Sequence, residues 1–272
     1  MHIKLIASDI DGTLIPYHGK VSERTRAAIR ACTENRVLFT IATGRWFVTA
    51  RAAAMDLGQT SGPMVIANGG AVVTMDGEIL KEWTFSEVRA AEAYAMLARH
   101  GVAINAFTRG TVFHVNAAAG PWPIEASCSY ENAKYRVFTD DAAAFEREGL
   151  HNLYKLEVYS DQPKLLQEIA EELTSAGFSV TSSHPINIEI VESGVSKGAA
   201  VQWLADQMHI AREECMAMGD YENDLTLLNA VGWPIAMSNG CDTLKAAARR
   251  IAPDSKEDGA AIMIERALED QL

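Results

Sequence analysis

The stretch Ile3-Lys4-Leu5-Ile6-Ala7-Ser8-Asp9-Ile10-Asp11-Gly12-Thr13-Leu14 decides how the chain folds. Its apolar run, Ile3 to Ala7, stops at Asp9; a Gly-Thr turn follows, and Ser22 to Cys32 carries helical spacing. That order reads as strand, loop, helix. The pattern recurs downstream. Val37 to Ala42 (VLFTIA) stops at Thr43-Gly44 before a helical stretch from Arg45 to Leu57, and Met64 to Ala67 stops at Asn68-Gly69-Gly70. Near-continuous apolar runs alternating with helices predict a parallel sheet buried on both faces, the core of an α/β, Rossmann-like domain.

The pattern then changes. Ala71 to Thr74 and Glu78 to Trp83 flank Met75-Asp76-Gly77, a hairpin signal. Ser86 caps a helix that Gly101 ends. Val102 to Phe107, Thr111 to Val115, Leu153 to Tyr159, Phe178 to Ser182 and Ile186 to Val191 read as strands, and Pro163 to Ala176 as an amphipathic helix. Ala117 to Glu131 has no period. Alternation resumes with a helix from Ser196 to Met208, a strand from Cys215 to Met218 ending at Gly219-Asp220, and a helix from Asp224 to Asn229. A short strand, Ile235 to Met237, and helices around Asp242 to Arg249 and Gly259 to Leu268 complete the chain. The expected architecture is a core of residues 1–83 and 188–272 interrupted by an inserted α+β unit at 84–187.

Composition narrows the function. The 272 residues are 48% hydrophobic with a net charge of −12, which excludes a disordered chain and disfavours a nucleic-acid partner, since the phosphate backbone is repelled. No segment supplies the ~20 apolar residues of a membrane span. The start, MHIKLIAS, lacks the features of a secretory signal, so a cytoplasmic location is expected. Four cysteines without a CxxC pair fit reduced thiols, and seven histidines without HxH or HExxH spacing argue against zinc. Oligomeric state has no signature in the sequence.

In an open parallel sheet, ligands bind beyond the carboxyl ends of the strands. Asp9 and Asp11, Thr43, Asn68, and Asp220 with Asn223 and Asp224 all stand at such ends, and Lys197 opens a helix that reaches the same edge. Crowded carboxylates need positive charge to hold them. Mg2+ takes one or two carboxylates plus substrate phosphate oxygens, the number Asp9 and Asp220 supply, whereas Asp9-Ile10-Asp11-Gly12-Thr13 breaks the EF-hand calcium pattern. A lysine at a helix start opposes the macrodipole, a cost that points to a task. Arg45 stands either to contact a substrate phosphate or to pair with a surface carboxylate.

Taken in order, Asp9-Ile10-Asp11-Gly12-Thr13-Leu14, Ala42-Thr43-Gly44-Arg45, Asn68-Gly69-Gly70, Ser196-Lys197-Gly198 and Gly219-Asp220-Tyr221-Glu222-Asn223-Asp224 resemble the haloacid dehalogenase (HAD) superfamily, in particular its Cof-type sugar-phosphatase-like group. Asp258-Gly259 extends the resemblance to nearly the whole chain. The resemblance implies a Mg2+-dependent hydrolase of small phosphate monoesters, with a small phosphorylated metabolite as partner and the insertion as a cap that closes over the site and sets specificity. It implies that Asp9 attacks phosphorus to form an aspartyl phosphate and that Asp11 protonates the leaving alcohol and then activates water. Thr43 with Gly44, Asn68 with Gly69, and Asn223 would hold the phosphoryl oxygens. Asp9, Asp220 and the main-chain carbonyl of Asp11 would hold the metal, while Lys197 offsets charge and Asp224 orients Lys197 or a metal-bound water. Met237-Ser238-Asn239-Gly240 departs from the family's Met-Gly-Asn-Ala. Two other readings share these residues: a phosphomutase using the same nucleophile, and a phosphometabolite sensor without turnover.

Overall fold

β1 (Leu5–Ser8) is buried along its whole length, with Leu5 and Ile6 fully covered. Side chains of that size contribute roughly 1.5–3 kcal/mol each when removed from water, and the strand lies inside its sheet, paired on both sides. The computed structural model describes residues 2–120, 136–139 and 142–272. They fall into two compact units, Met1–Glu82 with Ser196–Leu272, and Trp83–Val195.

The first unit continues through α1 (Glu23–Glu34), β2 (Leu38–Ile41) and α2 (Phe47–Asp56). Ser22 caps α1 by accepting from the Thr25 amide at 3.0 Å, which satisfies one of the helix's unpaired donors. β3 (Pro63–Ile66), β4 (Ala71–Thr74) and β5 (Ile79–Glu82) follow. β3 was expected in the parallel sheet. Instead β3, β4 and β5 form a separate antiparallel sheet, and β3 meets β2 through one parallel bridge, Ala42 to Val65. Pro63 has no amide proton to extend a ladder, and its carbonyl accepts from Thr40 Oγ1 at 3.0 Å.

The second unit holds α3 (Glu87–Arg99), β6 (Ala103–Thr108), β7 (Thr111–Val115), β8 (Arg136–Thr139), α4 (Ala142–Ala144), β9 (Leu153–Tyr159), α5 (Pro163–Ser175), β10 (Ser179–Thr181) and β11 (Asn187–Val191). Its strands form one sheet in the order β10-β11-β9-β6-β7-β8, antiparallel except between β7 and β8. Period-two alternation gives it an apolar face, with Ile104, Leu156, Val158 and Ile190 packed in a core with Leu97 and Leu173 of α3 and α5. On β9 and β11 the intervening positions carry Lys155, Glu157 and Glu189, and Lys155 Nζ donates to Glu189 at 2.5 Å and Glu157 at 3.4 Å. The unit runs past the 187 boundary to Val195, because β11 pairs with β9 and β10. The unassigned stretch 117–131 lies mostly outside the described residues.

The chain returns to the first unit with α6 (Lys197–Gln207), β12 (Cys215–Gly219), α7 (Leu225–Asn229), β13 (Trp233–Met237), α8 (Asp242–Ala247), β14 (Arg250–Ala252) and α9 (Gly259–Leu268). The helix expected over 242–249 stops at Ala247, and β14 follows as an edge strand on β13. The parallel sheet reads β14-β13-β12-β1-β2. From β1 the chain steps outward to β2, and after the insertion it steps to the other side through β12, β13 and β14. The order therefore reverses between β1 and β12, the place where a doubly wound sheet opens a crevice for a ligand.

Candidate active site

Asp9 and Asp220 follow the two strands at that reversal. The Asp9 amide donates to the Met218 carbonyl at 3.0 Å, extending the β1–β12 ladder to the base of the loop. The loop turns at Gly12, whose φ is +85°; a Cβ there would lie 2.2 Å from Asp220 Oδ2, so only glycine lets the two loops approach this closely. Thr13 Oγ1 donates to Asp220 Oδ1 at 2.9 Å and Tyr17 Oη donates to Asp220 Oδ2 at 3.0 Å.

Lys197 occupies the first position of α6, behind a Ser196 cap that accepts from the Ala199 amide. Its side chain is fully buried, and Nζ donates to Asp9 Oδ1 and to Asp224 Oδ1, each at 2.6 Å. Asp224 Oδ2 accepts from the amides of Asp220 and Tyr221 at 3.0 and 3.3 Å. Both Asp224 oxygens are thus committed. Carboxylate oxygens of Asp9, Asp220 and Asp224 lie within 4.8 Å of one another, and one ammonium faces three carboxylates.

The charge balance shows in the proton affinities. Burial raises Asp9 well above the usual carboxylate range; the Lys197 ammonium pulls it down, while the Asp224, Asp220 and Asp11 carboxylates push it up. Burial, reinforced by Asp224, pushes Asp220 up to about 7, against hydrogen bonds from Thr13 and Tyr17 that favour its charged form. Burial alone would lower Lys197, but Asp224 and Asp9 override it and hold the ammonium. The site is short of positive charge.

The second strand-end loop is tied to the third. The Thr43 amide donates to the Val65 carbonyl at 2.9 Å, and the Asn68 amide donates to the Thr43 carbonyl at 3.0 Å. Thr43 is buried, and its Oγ1 accepts from the Arg45 amide at 3.1 Å. Gly44 lies half-buried in the bend between them. Asn68 adopts a left-handed backbone, φ 55°, and its Oδ1 accepts from Asn223 Nδ2 at 3.4 Å, whereas its own Nδ2 is buried with no acceptor. Gly69 has φ +93°, and a Cβ on it would lie 2.1 Å from the Ser196 carbonyl, so the third loop is pressed against the start of α6.

Of the residues singled out in the sequence, Asp9, Lys197, Asp220 and Asp224 form one buried cluster, and Thr43, Asn68 and Asn223 form a linked set. The Asp11 carboxylate stands apart from the cluster, half-exposed and paired to Arg45. The departing loop keeps its connections. Asn239 Nδ2 donates to the Gly12 carbonyl at 2.8 Å, Asn239 Oδ1 accepts from the Ser255 amide at 2.9 Å, and the Ser238 side chain faces solvent. Sequence reasoning passed over Tyr17, which has no local signal, and the Thr13 contact to Asp220, although Thr13 lies in the quoted motif.

Residues 6–264 match the sequence pattern of the haloacid dehalogenase-like hydrolases. Two Bacillus subtilis proteins named 5-amino-6-(5-phospho-D-ribitylamino)uracil phosphatase are similar to the chain. YcsE is 28% identical over 260 residues, covering 95% of this chain and 93% of its own. YwtE is 28% identical over 293 residues, covering 99% of each. The structure of a haloacid dehalogenase-like hydrolase from the same organism aligns at a TM-score of 0.84 with 24% identity, over 97% of this chain and 99% of that one, and so shares the fold. Because the matched span runs from β1 to α9 and takes in every loop of the acidic cluster, the chain belongs to the haloacid dehalogenase-like hydrolase family.

Proposed function

We propose that this HAD-type phosphatase cleaves small phosphate monoesters, sugar phosphates foremost, through an aspartyl phosphate on Asp9. The observation that carries the reading is Lys197 Nζ, buried 2.6 Å from Asp9 Oδ1 and 2.6 Å from Asp224 Oδ1. Breaking such a buried pair is costly, and an ammonium so placed both orients the Asp9 carboxylate and stands ready to offset charge on phosphoryl oxygens.

The donor set fits a hard divalent cation. Its atoms are carboxylate oxygens, three carboxylates face one ammonium, and burial together with the Asp224 charge raises Asp220 to about 7. Asp9 and Asp220 would hold Mg2+ together with the main-chain carbonyl of Asp11, while Asp224 holds the Lys197 ammonium at 2.6 Å and the loop amides of Asp220 and Tyr221. When bound, the ion supplies positive charge beside the transferring group.

The Thr43 hydroxyl, which accepts from the Arg45 amide, keeps its proton for a phosphoryl oxygen. The acceptor-less Asn68 Nδ2 serves as a second donor, with the Gly44 and Gly69 amides and Asn223 alongside. An Asp9 oxygen attacks phosphorus, the ester P–O bond breaks, and the Asp11 carboxyl gives its proton to the departing oxygen. Asp11, now a carboxylate, takes a proton from water as that water attacks phosphorus. The P–O bond to Asp9 breaks, releasing phosphate and regenerating the Asp9 carboxylate. The inserted unit supplies substrate selectivity.

Phosphate release from p-nitrophenyl phosphate with Mg2+, with EDTA, and in Asp9→Asn tests the reading, followed by a panel of phosphorylated metabolites. The panel includes 5-amino-6-(5-phospho-D-ribitylamino)uracil, the compound in the names of YcsE and YwtE. Release that is abolished by EDTA and by Asp9→Asn supports it. Release that survives Asp9→Asn overturns it, and an isomerised sugar in place of free phosphate would replace the hydrolase with a mutase.

A further inference from the structure

Arg45 Nε donates to Asp11 Oδ2 at 2.8 Å and Arg45 Nη2 donates to Asp11 Oδ1 at 2.5 Å. The guanidinium therefore takes both carboxylate oxygens in one plane, the arrangement that fixes orientation as well as charge. The side chains are 32% and 47% exposed, so solvent screens the pair and its contribution to stability is modest. The position of Arg45 is not loosely set. Its amide donates to Thr43 Oγ1 at 3.1 Å, so the same residue is tied through its backbone to one site hydroxyl and through its side chain to Asp11.

We infer that Arg45 is a positioning residue for Asp11: its planar fork sets the orientation in which the Asp11 carboxyl faces first the departing ester oxygen and then the attacking water. The inference rests on the acid–base role of Asp11 proposed above. In the first half-reaction one prong stays on the carboxyl while the Asp11 O–H proton passes to the ester oxygen as the P–O bond breaks, and the carboxylate left behind regains the two-pronged pair that the substrate-free protein shows. In the second, Asp11 removes a proton from water and loosens one prong. Lysine cannot substitute, since a single ammonium offers no planar fork.

The test compares two esters on the full-length enzyme with Mg2+. An alkyl phosphate releases an alkoxide that must be protonated, whereas p-nitrophenyl phosphate releases a stable phenolate that need not be. The kcat/KM ratio between them is independent of the fraction of enzyme that is folded, so a partly misfolded variant still answers the question. Arg45→Lys and Arg45→Gln are expected to lower kcat/KM for the alkyl ester by roughly 10-fold or more beyond any loss on the aryl ester, within the contribution of a general acid. Asp11→Asn should show the same split, and adding Arg45→Lys to it should widen the split no further. Equal losses on the two esters in the Arg45 variants, with the split intact in Asp11→Asn, would overturn the inference alone and leave Arg45 a phosphate-binding or structural residue. No split in Asp11→Asn would overturn it together with the acid role of Asp11.

Discussion

Tyr17 Oη donates to Asp220 Oδ2 at 3.0 Å across 203 positions of the chain, while Thr13 holds the other oxygen. Two hydroxyls from the loop after β1 thereby set the plane of a carboxylate at the end of β12. Partners of this kind hold a metal ligand in place, and their loss typically costs 10–100-fold in affinity. With Thr13 retained, Tyr17→Phe should weaken Mg2+ binding by about 10-fold, read by titration calorimetry. An unchanged Kd would show that Tyr17 has no part in orienting Asp220.

The proton affinity of Asp220 gives a pH dependence with a definite sign. Its native value is about 7, raised from 3.8 by burial and by Asp224. Between those values the native protein binds more protons than the unfolded chain, so stability falls as pH rises through the interval. Asp9, also raised by burial, acts in the same direction. In EDTA the protein should melt lower at about pH 8 than at about pH 5, and Asp220→Asn should flatten that difference. Parallel melting profiles for the two proteins would refute the assignment.

Gly198, the second residue of α6, poses a contest between two effects. Alanine is favoured over glycine in a helix by roughly 0.8–1 kcal/mol. A Cβ here, however, would lie 2.0 Å from the Thr226 carbonyl oxygen of α7. Relieving that contact moves the two helices apart, at roughly 1–3 kcal/mol. Gly198→Ala should therefore lower the urea midpoint and, by displacing the neighbouring Lys197, reduce kcat. A raised midpoint would mean that the helices separate freely.

Much of this arrangement is legible in the sequence because it depends on local breaks in pattern. Apolar runs that stop at Asp9, Thr43, Asn68 and Asp220 mark strand ends whichever neighbours the strands acquire. What stays hidden depends on pairing. Nothing local distinguishes β3 from β1 and β2, and its separate sheet follows from its partner β4. β14, three residues with Arg250 and Ile251 exposed, carries no strand signal of its own. The end of the inserted unit was misplaced because β11 resembles any buried strand until its pairing with β9 is known. Arg45 was ambiguous for the same reason, since its partner Asp11 lies 34 positions away.

The central claim is a covalent bond between an Asp9 carboxylate oxygen and phosphorus. Mixing enzyme, Mg2+ and a phosphate ester, quenching in acid within one turnover and mapping the digest by mass spectrometry tests it directly. The account predicts a phosphoryl adduct on the peptide containing Asp9, absent in Asp9→Asn and before substrate is added. Turnover with no adduct on that peptide, or an adduct on another residue, would contradict it.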